Sequence, residues 1–429
     1  MIKTYQKNMI LSIRGPVADD KAGRFGGRRR NLNVLRPWFP EIIGFILLSI
    51  ILILEICLVP TIRAGETELA PANNHLKTPS FVKGIYISAN TAASPKARQA
   101  IFSLFETTEL NSAVIDLKDD YGYLAFPTTN PKLAKHRSKK IMIKDLGPVI
   151  EQLHKRKIYI IGRLPVFQDR AYVLFRPEFA VKDKNGGNWH DKKAITWLDP
   201  TIRDSWEYNV WIAQDAYALG FDEIQFDYIR FPSDGDMTRV RYAGFNPQAN
   251  TPVKIMRAFF AYLDTELRKK GIPISADLFG FAYWDRDNDL TIGQRIIDAA
   301  PFFDALSPMV YPSHYPAGTL GYKNPADYPY EIIAETLKRG KKIMTEFPEV
   351  KYADRPWLQD FDIGANYDAK KIRAEMKAVV DNGGAGWLLW NARNVYTLEA
   401  LEKKTPKVEK SGLELKTIRA VADNWRGML

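Results

Sequence analysis

The sequence predicts an α/β chain: a (β/α)8 barrel carried behind an N-terminal transmembrane helix and a linker. Three observations lead there. From Phe81 onward, strand-like runs alternate with helical patterns eight times in roughly 320 residues, the size of a decorated TIM barrel. Polar or charged residues recur at one end of nearly every run. No Gly-rich phosphate turn follows the first strand, which argues against a doubly wound sheet.

The 429 residues are 46% apolar and 12% aromatic, enough for a large core. The net charge of +11 is concentrated at the start. Residues 1–40 hold nine Lys/Arg against Asp19 and Asp20, a net of +7, which leaves only +4 for the rest. No basic stripe remains for nucleic acid. Ile42 to Val59 is an 18-residue apolar run interrupted only by Glu55, close to the minimum bilayer span. The basic segment before it places the N-terminus in the cytoplasm. The expected organisation is a basic cytoplasmic tail (1–40), a transmembrane signal anchor (41–59), a Pro-containing polar linker (60–80), the barrel (81–405) and a helical appendage (406–429). The single cysteine, Cys57, falls in the apolar run, so the folded part has neither disulfide nor thiol nucleophile.

The elements follow in order. Val82 to Ser88 reads as the first strand, and Ser94-Pro95 opens a helix as cap and N1 proline. Ser112 to Leu117 is the second strand, Ile143 to Lys155 the next helix, and Lys157 to Arg163 the third strand. After a long loop, a helix from Ile202 to Ala218 precedes strand four, the segment Glu223 to Pro232, which the proline ends so that Asp227 sits at or near its C-terminal end. Pro252 to Lys269 is a helix and Pro273 to Leu278 strand five. A short helix from Gln294 leads to strand six, Ala305 to Tyr311, and a helix runs from Tyr330 to Arg339. Strand seven is Lys342 to Thr345, or the Pro356 to Phe361 segment, or both in one bent element. A helix from Ala369 to Asp381 precedes strand eight, Gly384 to Trp390.

The C-terminal ends of barrel strands are where such enzymes keep their chemistry. In strand four, Glu223, Gln225 and Asp227 alternate with Ile224, Phe226 and Tyr228, so the polar set shares a face. Asp116, Lys118 and Asp119 end strand two, Arg163 ends strand three, and Arg230 lies just past strand four. Asp277 is near the end of strand five, Tyr311 and His314 follow strand six, and Trp357, Gln359 and Asp360 mark strand seven. Trp390 and Asn391 close the circle. Asp227 capping a helix or pairing with Arg230, and each Trp as core, are the plainer readings.

Taken together the set is suited to carboxylate chemistry. Glycosidic cleavage needs one acid to protonate the leaving oxygen and a second carboxylate as nucleophile or base. Asp227 and Asp277 on adjacent strands are the expected catalytic pair, with Asp227 the nucleophile kept ionised and oriented by Arg230 and Gln225. Asp277, among Ala276, Leu278 and Phe279, is placed for a raised pKa. Asp116, Asp119, Asp120 and Asp360 are reserves, and Tyr228, Tyr311, Trp357 and Trp390 would stack on a sugar. The five histidines never pair at ligand spacing, so neither a zinc hydrolase nor a metal-dependent deacetylase fits. No Gly-x-Ser-x-Gly elbow occurs. No cofactor or metal is expected.

Several segments carry a resemblance: Gly84-Ile-Tyr86, Val114-Ile-Asp-Leu-Lys-Asp-Asp120, Trp197-Leu-Asp-Pro200, Gly220 through Pro232, Ala276 through Gly280, Ser307 through Pro312 and Pro356-Trp-Leu-Gln359. Residues 81–400 resemble the bacterial "putative glycoside hydrolase domain" family of TIM-barrel proteins. The resemblance implies a sugar-polymer substrate and a carboxylate mechanism with Asp227 at the strand-four catalytic position. The expectation is a membrane-anchored, extracytoplasmic glycoside hydrolase acting on a cell-wall or extracellular polysaccharide. A non-catalytic glycan-binding or wall-organising protein on the same fold is the alternative.

Overall fold

The structure is a computed structural model that describes residues 75–404, apart from 120, 129, 136–140 and 247–249. The basic tail, the apolar run, the C-terminal appendage and Asp120 lie outside the described residues. Among those described, no helix is long and apolar enough to cross a membrane.

Eight parallel strands close into a barrel: β1 (Val82–Ile87), β2 (Ser112–Asp116), β3 (Tyr159–Pro165), β4 (Glu223–Asp227), β5 (Ile274–Phe279), β6 (Ala305–Met309), β7 (Trp357–Gln359) and β8 (Gly386–Trp390). Neighbours in sequence are neighbours in the sheet, and β8 returns to β1 through Val82↔Gly386. The β6–β7 joint is the thinnest, a single Trp357↔Met309 pair, supported upstream by Ala353–Asp354 lying along Ala305 and Leu306.

The connections carry α1 (Pro95–Thr107), α2 (Leu146–Lys155), α3 (Arg203–Ala218), α4 (Pro252–Arg268), α5 (Ile296–Ala299), α6 (Pro329–Met344) and α7 (Ala369–Asp381). Their starts have local causes. Ser94, Thr251 and Asp368 cap α1, α4 and α7 through side-chain oxygens, and Pro95 and Pro252 take first-turn positions whose N–H has no helical partner. Gly220, at φ 112°, turns the chain out of α3 and into β4.

Two strand expectations are corrected. Lys342 to Thr345 is not a strand, because the chain through Met344 completes α6: Ile333, Leu337 and Met344 continue one buried helical face, and Lys341 and Lys342 sit favourably in its last turn. The second alternative, Pro356 to Phe361, holds β7. The third strand opens at Tyr159 rather than Lys157, since Lys157 adopts φ 59° in the turn leaving α2.

Period-2 alternation sorts side chains to two sides of the barrel wall. Ala113, Ile115, Ile160, Ile224, Phe226, Ala276, Leu278 and Leu389 join the layer between sheet and helices. Val114, Ile161, Met309, Trp357, Leu388 and Trp390 form a separate interior cluster. The end of the expected linker is docked on the barrel base: Leu76 N donates to Asp222 Oδ1 at 2.7 Å, and Thr78 Oγ1 meets Tyr159 OH at 3.0 Å. Asp222 precedes β4 and Tyr159 opens β3, so the described chain begins at the end of the barrel opposite the strand C-termini.

Candidate active site

The inward faces of β2, β3, β4 and β5 bring their end residues together. Asp116 and Arg163 are register partners, and Asp227 is level with Pro165 on β3. Arg163 spans the gap between two carboxylates. Its Nη1 donates to Asp116 Oδ1 at 2.8 Å, while Nη2 and Nε donate to Asp227 Oδ2 at 2.5 and 3.1 Å. Burial works against the Arg163 charge, and Asp227 and Asp116 more than restore it, raising its pKa. The other oxygen of Asp227, Oδ1, accepts the N–H of Tyr228, a non-glycine residue held at φ 52°. Left-handed backbone on a bulky residue is a local strain of the kind found at functional sites.

Asp277 has different company. Its Oδ1 accepts from Gln225 Nε2 and Trp357 Nε1, each at 2.7 Å, and its buried Oδ2 has no hydrogen-bond partner. Burial, then the nearby Asp227 charge, drive its pKa well above the usual carboxylate range, against the pull of Arg163, Trp357 and Gln225. Both donors occupy Oδ1, so the proton of the neutral acid belongs on Oδ2.

One cavity is lined by Arg163, Asp227, Asp277, Met309, Tyr311, Trp357 and Trp390. It holds only about 10 Å³, room for a single water. Tyr86 stacks on Trp390 with centroids 4.1 Å apart, and Trp357 meets Trp390 edge-on at 5.4 Å. A larger cavity of about 480 Å³ opens at the barrel base, beneath Glu223 and Arg355, but those two are paired to each other there. The chemistry converges at the smaller one.

Other expected site residues are engaged elsewhere. Lys118 is fully buried against Asp169 (2.8 Å) and Asn209 of α3, an internal ion pair rather than a mouth residue. Asp119 accepts the N–H groups of Tyr121 and Tyr123 and shapes a turn. Gln359 accepts from Ser313 N and donates to Phe361 and Ile363 carbonyls, and Asn391 donates to the carbonyls of Asp360 and Val395, so both tie loops together. Asp360, its pKa raised by burial to about 6, accepts from Thr397 N and Oγ1. His314 is buried beside Ser313 Oγ and edge-on to Tyr311. Tyr228 lies against Trp197, next to the cavity rather than in its lining.

The orienting roles also change hands. Gln225 serves Asp277, not Asp227, and Arg230 bonds Phe231 O and Ser233 Oγ. Arg163 does what was expected of Arg230. Tyr86 was missed: its hydroxyl donates to Asp116 Oδ2 at 2.6 Å. The strand-end rule applied to the first strand would have found it.

Comparison with known proteins agrees with this architecture. No curated protein matches the chain at a significant level. A hypothetical protein from Ruminiclostridium thermocellum is 36% identical over 45% of this chain and 96% of its own, with a TM-score of 0.40. The glycoside hydrolase domain of PgaB (BpsB) from Bordetella bronchiseptica superposes with a TM-score of 0.53 at 12% identity, covering 76% of this chain and all of that one, a likeness of fold. The family described as "putative glycosyl hydrolase domain" matches residues 84–396. The match spans every barrel strand but the first two residues of β1, and the chain belongs to that family.

Proposed function

We propose that the protein is a glycoside hydrolase cleaving a cell-wall or extracellular polysaccharide, with Asp277 as acid and Asp227 as nucleophile. The observation that carries this reading is two carboxylates facing one cavity from neighbouring strands in opposite surroundings. Asp227 is held by a guanidinium, and Asp277 is desolvated with an unbonded oxygen. Environments that push two acids apart assign acid and base roles. In the first step the Asp277 Oδ2 proton passes to the leaving oxygen as the glycosidic C–O bond breaks and Asp227 attacks the anomeric carbon. Water then cleaves the ester, returning a proton to Asp277. A sugar ring exceeds the 10 Å³ cavity, so the aromatic rim must open on binding.

The same reading keeps the barrel outside the cell on the 41–59 signal anchor. The described chain begins at the barrel base, which supports a mouth directed away from the bilayer. A second reading, a glycan-binding protein without turnover, draws on the Arg163 ion pairs and the narrow cavity.

The test is a release of reducing ends from purified wall and extracellular glycans. Asp227→Asn should abolish turnover with binding retained. Asp277→Asn should spare aryl glycosides whose leaving group needs no protonation. Binding without turnover of any glycan selects the second reading, and near-full activity of Asp227→Asn refutes the assignment.

A further inference from the structure

Four Lys or Arg side chains are buried among the described residues: Lys118, Arg163, Arg230 and Arg355. Three are in ion pairs, with Asp169, with Asp116 and Asp227, and with Glu223. Arg230 is in none. Its hydrogen bonds leave from one nitrogen only, Nη1, to Phe231 O at 3.1 Å and Ser233 Oγ at 3.2 Å. Nε and Nη2 hold no bond and are not among the sealed unbonded atoms, so they touch solvent. A buried cation without a bonded anion is costly, and burial accordingly lowers the Arg230 pKa.

The placement of this charge is specific. The guanidinium lies 4.8 Å from the Trp197 ring, 5.0 Å from Phe279 and 5.5 Å from Tyr228. Phe279 is two residues beyond Asp277 on β5, and Tyr228 directly follows Asp227. Arg230 therefore lies against the residues that flank the two carboxylates, within reach of the Asp227 charge, but outside the lining of their cavity. Asp234, Asp227 and Asp191 feel its charge from beyond bonding range. Asp191 is already occupied by the N–H groups of Lys193 and Ile195.

We infer that Arg230 is a specificity residue of the same site, taking the carboxylate of an acidic sugar in the subsite next to the cleavage point. The inference rests on the glycosidase reading for what the site does, though not for the binding itself. A planar guanidinium with two adjacent free N–H groups matches a carboxylate bidentately, and the half-buried Tyr228 ring beside it offers the sugar an aromatic edge. A neutral sugar would leave Nε and Nη2 without an anionic acceptor.

The test uses the full chain and calorimetry. The probes are methyl glycosides of glucuronate, galacturonate, mannuronate and N-acetylmuramate, each beside its carboxyl-reduced parent. At least one acid should bind about tenfold to a hundredfold more tightly than its parent. Arg230→Gln should remove that preference and leave the parent's affinity unchanged, and Arg230→Lys should keep part of it. If Arg230→Gln does not fold, the lysine variant and the salt dependence of the wild-type preference decide: added salt should weaken only the acid. Equal binding of acid and parent, no binding of any acid, or a preference surviving Arg230→Gln overturns the inference. The two readings fail separately. Cleavage of an acidic glycan no better than its carboxyl-reduced form, unchanged in Arg230→Gln, removes the inference alone, and an Arg230-dependent acid site without turnover removes the glycosidase alone.

Discussion

Replacing Asp277 with Asn should stabilise the protein while removing the proposed acid, and the gain should grow with pH. The amide copies the neutral acid: its oxygen can accept from Gln225 and Trp357, and its NH2 takes the place of the unbonded Oδ2. In the folded wild type, burial and the Asp227 charge raise the Asp277 pKa well above the unfolded value of about 3.9. Between those two values the folded state holds a proton that the unfolded state has released. Wild-type stability therefore falls as pH rises, by about 1.4 kcal/mol for each pH unit, until the folded pKa is passed. The amide of the variant does not titrate and loses nothing over that range. The advantage of Asp277→Asn should be nearly absent at about pH 4 and climb through the acidic range toward its plateau. Since the Asp277 side chain is 1% exposed, solvent screening takes little from this slope. Urea denaturation of both proteins at several pH values measures it, and each kcal/mol should also appear as roughly 2 °C in Tm. A difference that is flat with pH, or a variant less stable throughout, would sink the claim that Asp277 is held neutral.

Arg163→Gln leaves Asp116 and Asp227 without their shared cation and should destabilise the fold by about 3–5 kcal/mol in chemical denaturation. Adding Asp116→Asn should recover part of that loss, and strict additivity of the two changes would contradict the network. Lys118→Met should cost a similar few kcal/mol by stranding Asp169, yet leave kcat/KM on an active glycan unchanged where the protein is folded. A selective fall in kcat/KM would return Lys118 to the substrate site. Protease added to intact spheroplasts should remove the barrel if residues 1–40 are cytoplasmic, and full protection would reverse that orientation.

The barrel was legible because its causes are local and repeated. Alternating Ile224, Phe226 and their neighbours, with Pro95 and Pro252 at helix starts, set period and boundaries wherever an element is long. Strand seven was not, because β7 is three residues long and Arg355 and Pro356 part it from Ala353–Asp354. Pro356 offers no N–H to a ladder, and Ile343-Met344 upstream imitates a strand while serving a helix face.

The site divides along the same line. That Asp116, Arg163, Asp227 and Asp277 occupy strand ends followed from periodicity, but which of them bond one another is a property of register. Arg230 is three residues from Asp227 in sequence and bonds no carboxylate, whereas Arg163, on the strand before, reaches it directly. Gln225 is level with Ser275 in the ladder and donates past it to Asp277, a diagonal that strand tilt creates and spacing along one strand cannot show. This register also separates the two acids. One guanidinium sits among three carboxyl groups and bonds only Asp116 and Asp227, so the third, desolvated and beside a charge of its own sign, is the one left to keep its proton. The asymmetry that the proposed acid and nucleophile need thus follows from the burial of Asp277 together with a single arginine placed between β2 and β4.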